Sequence, residues 1–222
     1  MAKIKFEKFS NAEIRDIAII AIVIGFVSAF SEWSYVNLAY KSLSAFLILL
    51  ASVSVQKIFA SKVGSEAEFK MRWEHLVIMA VLAFFTNGVL TALLVPAVKI
   101  KPYFGRIGYK FNTMSLGEKA VVHIWMPLMF ILVCLGAKTV APFSPVAAGI
   151  VQLSSAMAFF SILPFPTLSG MEIFISHRIS YVLLFFNSII LYFLGFMDFG
   201  VTLGTMVIIS VILFLLGQKI KL

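Results

Sequence analysis

The stretch that decides the topology runs from Trp73 to Ile100, WEHLVIMAVLAFFTNGVLTALLVPAVKI. At its centre, Thr86-Asn87-Gly88 is a turn signal within an otherwise apolar run, and Pro96 prevents its distal part from forming an unbroken helix. Lysine and arginine residues are frequent both before and after the stretch. Because basic residues collect on the cytoplasmic side of a membrane, we predict that this segment is re-entrant, so that it enters the membrane and returns to the same side.

The composition indicates that the lipid bilayer is the solvent for the chain. Of its 222 residues 61% are hydrophobic and 13% are charged, and the mean hydropathy is +1.04. So few polar side chains cannot cover a water-soluble globule, which excludes a soluble enzyme, a DNA-binding domain and a secreted disulfide scaffold. The single cysteine, Cys134, cannot form an internal disulfide. The net charge of +8 lies between the apolar runs, so it is read as a topology signal and no nucleic-acid partner is expected.

Six further apolar runs are predicted to cross the membrane, at residues 11–33, 42–59, 120–137, 144–163, 181–196 and 199–216. The first could also be a signal peptide, but Glu13 and Asp16 within it favour an uncleaved helix, and Ser10 with Glu13 has the spacing of a capping box. With both termini cytoplasmic, all but two of the 18 basic residues fall on the inner side, and Lys41 and Lys138 lie outside.

The predicted fold class is therefore an all-α polytopic membrane protein with six transmembrane helices, the re-entrant segment and a small membrane-edge hairpin. The hairpin is assigned to residues 101–119, which are rich in Gly, Tyr and Phe, although an ordinary cytoplasmic loop fits them equally well. The whole chain, 1–222, is expected to form one integral membrane domain, with a core at 40–175 and a C-terminal helix pair at 178–218.

The sequence LPFPTLSG at residues 163–170 ends the fourth predicted crossing. Two prolines followed by a glycine terminate a helix, and this stretch resembles the L-P-x-P-x-L-D-G corner of the site-2 protease family. Other stretches resemble parts of that family in the same order along the chain: 57–64 and 67–71, which resemble the stretch after its zinc helix, the re-entrant segment with Pro96, and 118–120 leading to Pro127. The resemblance implies the fold of an intramembrane zinc metalloprotease that cuts transmembrane helices.

The sequence departs from this family at the positions that carry its chemistry. The zinc motif H-E-x-x-H places two His ligands on one helix face, with Glu as the general base. The resemblance puts Ser52 and Gln56 at the two His positions, Val53 at the Glu and Ser169 at the Asp ligand, and Phe130 where the family usually has Asn. Hydroxyl and amide oxygens are poor zinc ligands, so neither a metal nor another cofactor is expected.

The histidines and serines are further candidates for a metal site or a catalytic site. His75, His123 and His177 have no metal-ligand spacing to one another or to Cys134; His123, inside a predicted crossing, is either a functional residue or a packed histidine. A serine nucleophile is disfavoured because no base is predicted beside Ser52, Ser54 or Ser169.

The vestigial residues Ser52, Gln56 and Ser169 are instead expected to hydrogen-bond to one another where the metal would lie. An ion or small-molecule pathway, suggested by polar residues such as Gln152, ranks last because no internal repeat is visible.

Two functional hypotheses remain. In the first, the chain is a pseudoprotease that binds a transmembrane segment or a membrane-protein partner without cutting it. Its binding cleft is predicted to include Asn87, Pro96, Pro164, Pro166 and Gly170 and to accept an extended strand. The alternative is an active intramembrane metallopeptidase that uses ligands not identified in the sequence.

Overall fold

A computed structural model describes residues 9–30, 33–88, 91–102, 114–194 and 197–220. Nine α-helices and two short strands occur in these ranges: α1 Asn11–Ala29, α2 Tyr35–Lys62, β1 Ser65–Glu68, α3 Trp73–Phe85, β2 Lys99–Pro102, α4 Leu116–His123, α5 Trp125–Val140, α6 Pro145–Ile162, α7 Ser169–Ser176, α8 Arg178–Leu194 and α9 Phe199–Ile220. A 3₁₀ turn, Ala141–Phe143, joins α5 to α6.

Three of the helical segments are long and apolar enough to cross a membrane, judged by length and composition: Tyr35–Lys62, Leu116–Phe143 and Pro145–Ile162. Two more apolar helices are shorter, Trp73–Phe85 and Arg178–Phe193, and the Phe199–Leu213 part of α9 is apolar as well. Within the described residues, the chain is thus a helical protein with three candidate membrane spans, as expected of an all-α membrane protein.

Local signals set the helix boundaries. The predicted capping box at the start of α1 is present, because the Ser10 side chain accepts a hydrogen bond from the backbone and Glu13 accepts one from the Ser10 N–H. A second capping box, formed by Ser115 and Glu118, starts α4. Pro127 interrupts the long segment that contains α4 and α5, since a proline cannot donate to the carbonyl four residues earlier. The break between α4 and α5 falls one turn before this proline, at Ile124.

Helices α1 and α2 form a closely packed antiparallel pair. A Cβ atom on Gly25 would lie 2.0 Å from Ser42 Oγ and 2.7 Å from the Ser42 backbone nitrogen. Glycine at this position therefore lets the two backbones approach each other more closely than any side chain would permit.

Two buried carboxylates near the start of α1 bind groups from other parts of the chain. Glu13 forms a salt bridge with Lys57 of α2, with 2.9 Å between Oε2 and Nζ, and both side chains are buried. Its other oxygen accepts a hydrogen bond from the backbone nitrogen of Phe69 at 3.0 Å. Asp16, one turn further along α1, accepts one from the Met71 nitrogen at 3.1 Å. Helix α1 thus fixes both α2 and the chain that leads into α3.

The segment between the two strands leaves their sheet and comes back to it. Strand β1 pairs antiparallel with β2, with Ser65 opposite Pro102 and Glu68 opposite Lys99. Helix α3 extends for about 20 Å at 1.5 Å per residue, and residues 91–98 lead back to β2 without regular structure. Both ends of the segment therefore lie at the same sheet.

The strand pair adjoins the segment of the predicted hairpin, most of which lies outside the described residues. Strand β2 overlaps the start of the 101–119 stretch and pairs with β1, residues 65–68. Residues 103–113 lie outside the described residues, and α4 already begins at Leu116. An exposed ion pair crosses the two strands, with Lys101 Nζ 2.7 Å from Glu68 Oε2, and β1 is remote from β2 in sequence.

We expect the Glu13–Lys57 salt bridge to make a large contribution to the free energy of unfolding, because it holds α1 against α2. Replacement of Lys57 by Met leaves a buried carboxylate without its cation and should cost about 3–5 kcal/mol, measured as a loss of unfolding free energy in detergent. The double variant Glu13→Gln/Lys57→Met should recover most of that loss, since Gln can still accept the Phe69 N–H bond. The exposed Lys101→Met variant is the control and should change little. A loss in Lys57→Met no larger than in this control would contradict the prediction.

Candidate functional site

The residues at the zinc-motif positions all lie in the interior. Ser52, Val53 and Gln56 are on α2, and Ser169 is the first residue of α7. All four are fully buried. Ser52 and Gln56 are separated by four residues and so lie one above the other on the same face of α2. This face is the one that a pair of His ligands would need.

The two parts of the chain that would supply ligands converge on one helix segment. The amide nitrogen of Gln56 donates to the Val122 carbonyl oxygen, with 3.4 Å between them. The hydroxyl of Ser169 donates to the sulfur of Met126 at 3.4 Å. Val122 and Met126 are one turn apart at the junction of α4 and α5, so Gln56 and Ser169 approach the same short stretch from α2 and from α7.

The expected mutual hydrogen bonds among the vestigial residues are not present, so that prediction is wrong. Ser52 Oγ donates to the Leu49 carbonyl of its own helix at 2.9 Å, while Gln56 and Ser169 bond to the α4–α5 junction. A helical serine has a carbonyl within reach in the preceding turn, and this local acceptor satisfies Ser52 without a partner from another helix.

His123 belongs to the same region, which the sequence did not indicate. It follows Val122 on α4, is 3% exposed, and its Nδ1 atom has no hydrogen-bond partner. The Oε1 atom of Gln56 is likewise buried without a partner. Unpartnered buried polar atoms are costly, so these two atoms mark the least satisfied part of the interior at this site.

The donor set here does not suit zinc. A catalytic zinc site needs about three nitrogen, sulfur or carboxylate ligands, whereas Ser52, Gln56 and Ser169 supply two hydroxyls and an amide. His123 would add one suitable nitrogen. Among the described residues, no group of three or more His, Cys, Asp or Glu side chains is placed to hold a metal ion. Val53, at the position of the general base, has no proton-accepting group at all.

The corner between α6 and α7 exposes one face and buries the other. Pro164, Phe165 and Pro166 are exposed, whereas Leu168 and Gly170 are buried. A Cβ on Gly170 would lie 2.0 Å from the Ile162 carbonyl oxygen. The glycine is therefore required for the chain to turn back against the end of α6 at this point.

Thr167 joins this corner to the segment between the strands. Its backbone has a φ of 78°, an uncommon conformation for a β-branched residue. Its carbonyl accepts a hydrogen bond from the Ala97 nitrogen at 2.8 Å, and its Oγ1 is hydrogen-bonded to His75 Nε2 at 2.6 Å. One strained residue thus holds both the start of α3 and the returning chain.

The residues of the predicted cleft divide between two ends of the molecule. Pro96 is buried beside Ala97, which bonds to the corner that carries Pro164, Pro166 and Gly170. Asn87 is exposed beyond the C-terminal end of α3. It is thus about 20 Å from the start of that helix, where His75 meets Thr167. The structure brings the corner residues and Pro96 together, and Asn87 is not part of that group.

The bond of His75 to Thr167 has no signal in the sequence. A single histidine near the start of an apolar run gives no signal for a partner 92 residues away. His75 lies outside the three candidate spans, and its side chain is buried. Burial, with a smaller contribution from the nearby Arg72, lowers the pKa of His75 below its usual 6.5.

No family model matches the chain, and no match is found among curated proteins or solved structures.

The lowered pKa of His75 predicts a pH dependence of stability. The folded protein takes up this proton at lower pH than the unfolded chain does, so stability should fall as the pH decreases from about 6.5 towards the folded pKa. The His75→Gln variant should show a shallower decrease of unfolding temperature between pH 7 and pH 5 (about the range in which histidine titrates). The exposed His177→Gln variant should retain the slope of the native protein. Equal slopes in the native protein and in His75→Gln would refute the assignment.

Proposed function

We propose that this protein is a catalytically inactive member of the site-2 protease family, a pseudoprotease that binds a transmembrane segment or a membrane-protein partner without cutting it. The observation that carries the proposal is the state of the zinc-motif positions. Ser52, Val53, Gln56 and Ser169 are buried and bonded to their own surroundings, and their chemistry suits neither zinc nor the activation of water.

The convergence of α2 and α7 on the α4–α5 junction supports the family assignment. In the family, ligands from the zinc helix and from the L-D-G corner have to meet at one metal. Here Gln56 and Ser169, at the corresponding positions, contact residues one turn apart. Such proximity is what a chain with this fold and without its metal would retain.

The proposal includes a topology of six crossings with both termini in the cytoplasm. The charge distribution supports it, because it puts all but two of the 18 basic residues on the inner side. The β1–β2 pair supports it as well, since it holds both ends of the segment between the strands at one place. That segment then adds no net crossing, and the basic residues on its two flanks share one side of the membrane.

The exposed face of the corner is the proposed contact surface for the partner. Pro164, Phe165 and Pro166 are exposed, and the Phe165 side chain is 60% exposed. Proline lacks the N–H that would otherwise need a partner inside a membrane. An apolar segment can therefore pack against this face without leaving a proline N–H unpaired.

Restoration of the family's ligands tests the assignment of the site. The variant Ser52→His/Val53→Glu/Gln56→His/Ser169→Asp should bind about one zinc per chain, because it supplies the three ligands and the base in the arrangement such sites use. Metal analysis of the purified proteins in detergent measures this, and the native protein should hold none.

A matched control carries the same pair of ligands on another face of α2. Ser54→His/Ile58→His also places two His residues four apart, away from Ser169, and should not acquire stoichiometric zinc. If the native protein holds one zinc per chain, or cleaves model transmembrane substrates, the active metallopeptidase replaces the pseudoprotease. If the four-residue variant binds no more zinc than the control, the family assignment fails.

Site-specific photocrosslinking tests the partner. With p-benzoylphenylalanine at Phe165, we expect a discrete adduct with a membrane polypeptide in native membranes. The control position is Phe143, which is 88% exposed but lies at the opposite end of α6. Adducts that are the same from both positions, or none from Phe165, would argue against binding at the corner.

A further inference from the structure

A cavity lies at the end of the helix bundle opposite the proline corner. Its volume is about 790 Å³, and its walls come from α1, α2, α5, α6, α8 and the start of α9. The turn that joins α5 to α6 contributes Pro142 to its wall, and Pro145 at the start of α6 lies beside it. Because α6 runs from this turn to the corner over 18 residues, the cavity and the corner are separated by about 27 Å along that helix.

Two buried lysines line this cavity. Lys41 of α2 is 8% exposed and Lys138 of α5 is 5% exposed. Lys41 Nζ donates to the Ser28 carbonyl oxygen at 2.7 Å, and Lys138 Nζ donates to Thr202 Oγ1. These are also the two basic residues that the topology puts on the outer side. Ionisable side chains within an apolar bundle are costly and mark binding sites or pathways.

The charge of the described lining is positive on the inside and negative at the rim. Asp198 also lines the cavity, but it is exposed in the turn between α8 and α9, where water screens its charge. Gln152 and Ser155 of α6 add neutral polar groups to the wall. The buried part of the lining thus carries two ammonium groups, and the exposed Gln152 adds an amide that can donate a hydrogen bond to an anion.

Part of the remaining wall is apolar, and Ser28, Tyr40 and Thr91 contribute polar groups to the rest. Tyr192 and Phe193 of α8, together with Val151 and Ala156 of α6, face the same space. A volume of several hundred cubic ångströms with apolar walls and a few convergent polar groups is typical of small-molecule sites. An occupant that fits both kinds of wall carries an anionic group and an apolar body.

We propose that this cavity binds an amphiphile with an anionic phosphate headgroup, whose headgroup is held by Lys41 and Lys138 and whose apolar part packs against α6 and α8. Charge-assisted hydrogen bonds from ammonium groups to phosphate oxygens are among the strong ones in proteins. The site is independent of the proposed pseudoprotease function, since Lys41 precedes Ser52 by eleven residues on α2, about 16 Å along that helix.

Binding can be measured on the purified full chain in a neutral detergent. A short-chain phosphatidylglycerol should raise the unfolding temperature in a concentration-dependent way, whereas the phosphatidylcholine with the same chains should not. The variants Lys41→Gln and Lys138→Gln should each weaken the affinity about tenfold or more, which is the usual effect of losing one charged hydrogen bond. The exposed Lys99→Gln variant on β2 is the matched control and should bind as the native protein does.

Two further variants separate loss of binding from loss of folding. Ala148→Phe places a large side chain in the wall of the cavity and leaves both lysines intact, so it should abolish binding while the protein remains helical and monodisperse. Lys138→Arg keeps the charge and should retain most of the affinity.

Inorganic phosphate, tested by itself, distinguishes a lipid headgroup from a soluble phosphate. A shift of the unfolding temperature equal to that given by the lipid assigns the site to a soluble phosphate ligand. Equal shifts with both lipids, or native affinity in both glutamine variants, would overturn the proposal.

Discussion

The carboxylate of Glu13 is the constraint on which the rest of the structure depends. Its two oxygens accept hydrogen bonds from Lys57 Nζ and from the backbone nitrogens of Ser10 and Phe69. A buried carboxylate without such partners would cost more free energy than a small membrane protein can spare. Satisfying it requires α1, α2 and the chain after β1 to meet at one point, and this fixes where α3 begins. The position of α3 in turn sets the place at which Thr167 and the corner can dock.

Much of the architecture could be predicted because its signals are local. The Ser10–Glu13 capping box, the prolines and the apolar runs locate most helix ends to within a few residues. The β1–β2 pair could not be predicted, since SEAE at 65–68 is short and charged and gains its stability from a strand more than thirty residues later. The contacts of the candidate site could not be predicted either, for the same reason. Its α2 positions were assigned from a motif, but the Gln56 bond to Val122 spans 66 residues, and no local pattern encodes it.

The proline corner has a structural role that does not depend on catalysis. Thr167, between the corner and α7, holds the start of α3 through His75 and the returning chain through Ala97. Loss of this corner would remove both hydrogen bonds that hold the segment between the strands. A chain without zinc ligands would therefore still need the corner. The presence of the LPFPTLSG stretch therefore does not by itself indicate a partner. Evidence for a partner has to come from the exposed face of the corner and from the polypeptides that crosslink to it.

The polar residues at the two ends of the bundle differ in how they are satisfied, and this difference separates a closed site from an open one. Ser52 and Ser169 form bonds within a packed interior, which leaves single atoms of Gln56 and His123 unpartnered. At the other end, the buried Lys41 and Lys138 donate to Ser28 and Thr202 and also line the cavity. An ammonium group in such a place is stabilised far more by an anion than by a carbonyl or a hydroxyl. The zinc-motif positions are therefore packed in the interior, whereas the two lysines line a cavity that has the volume for an occupant.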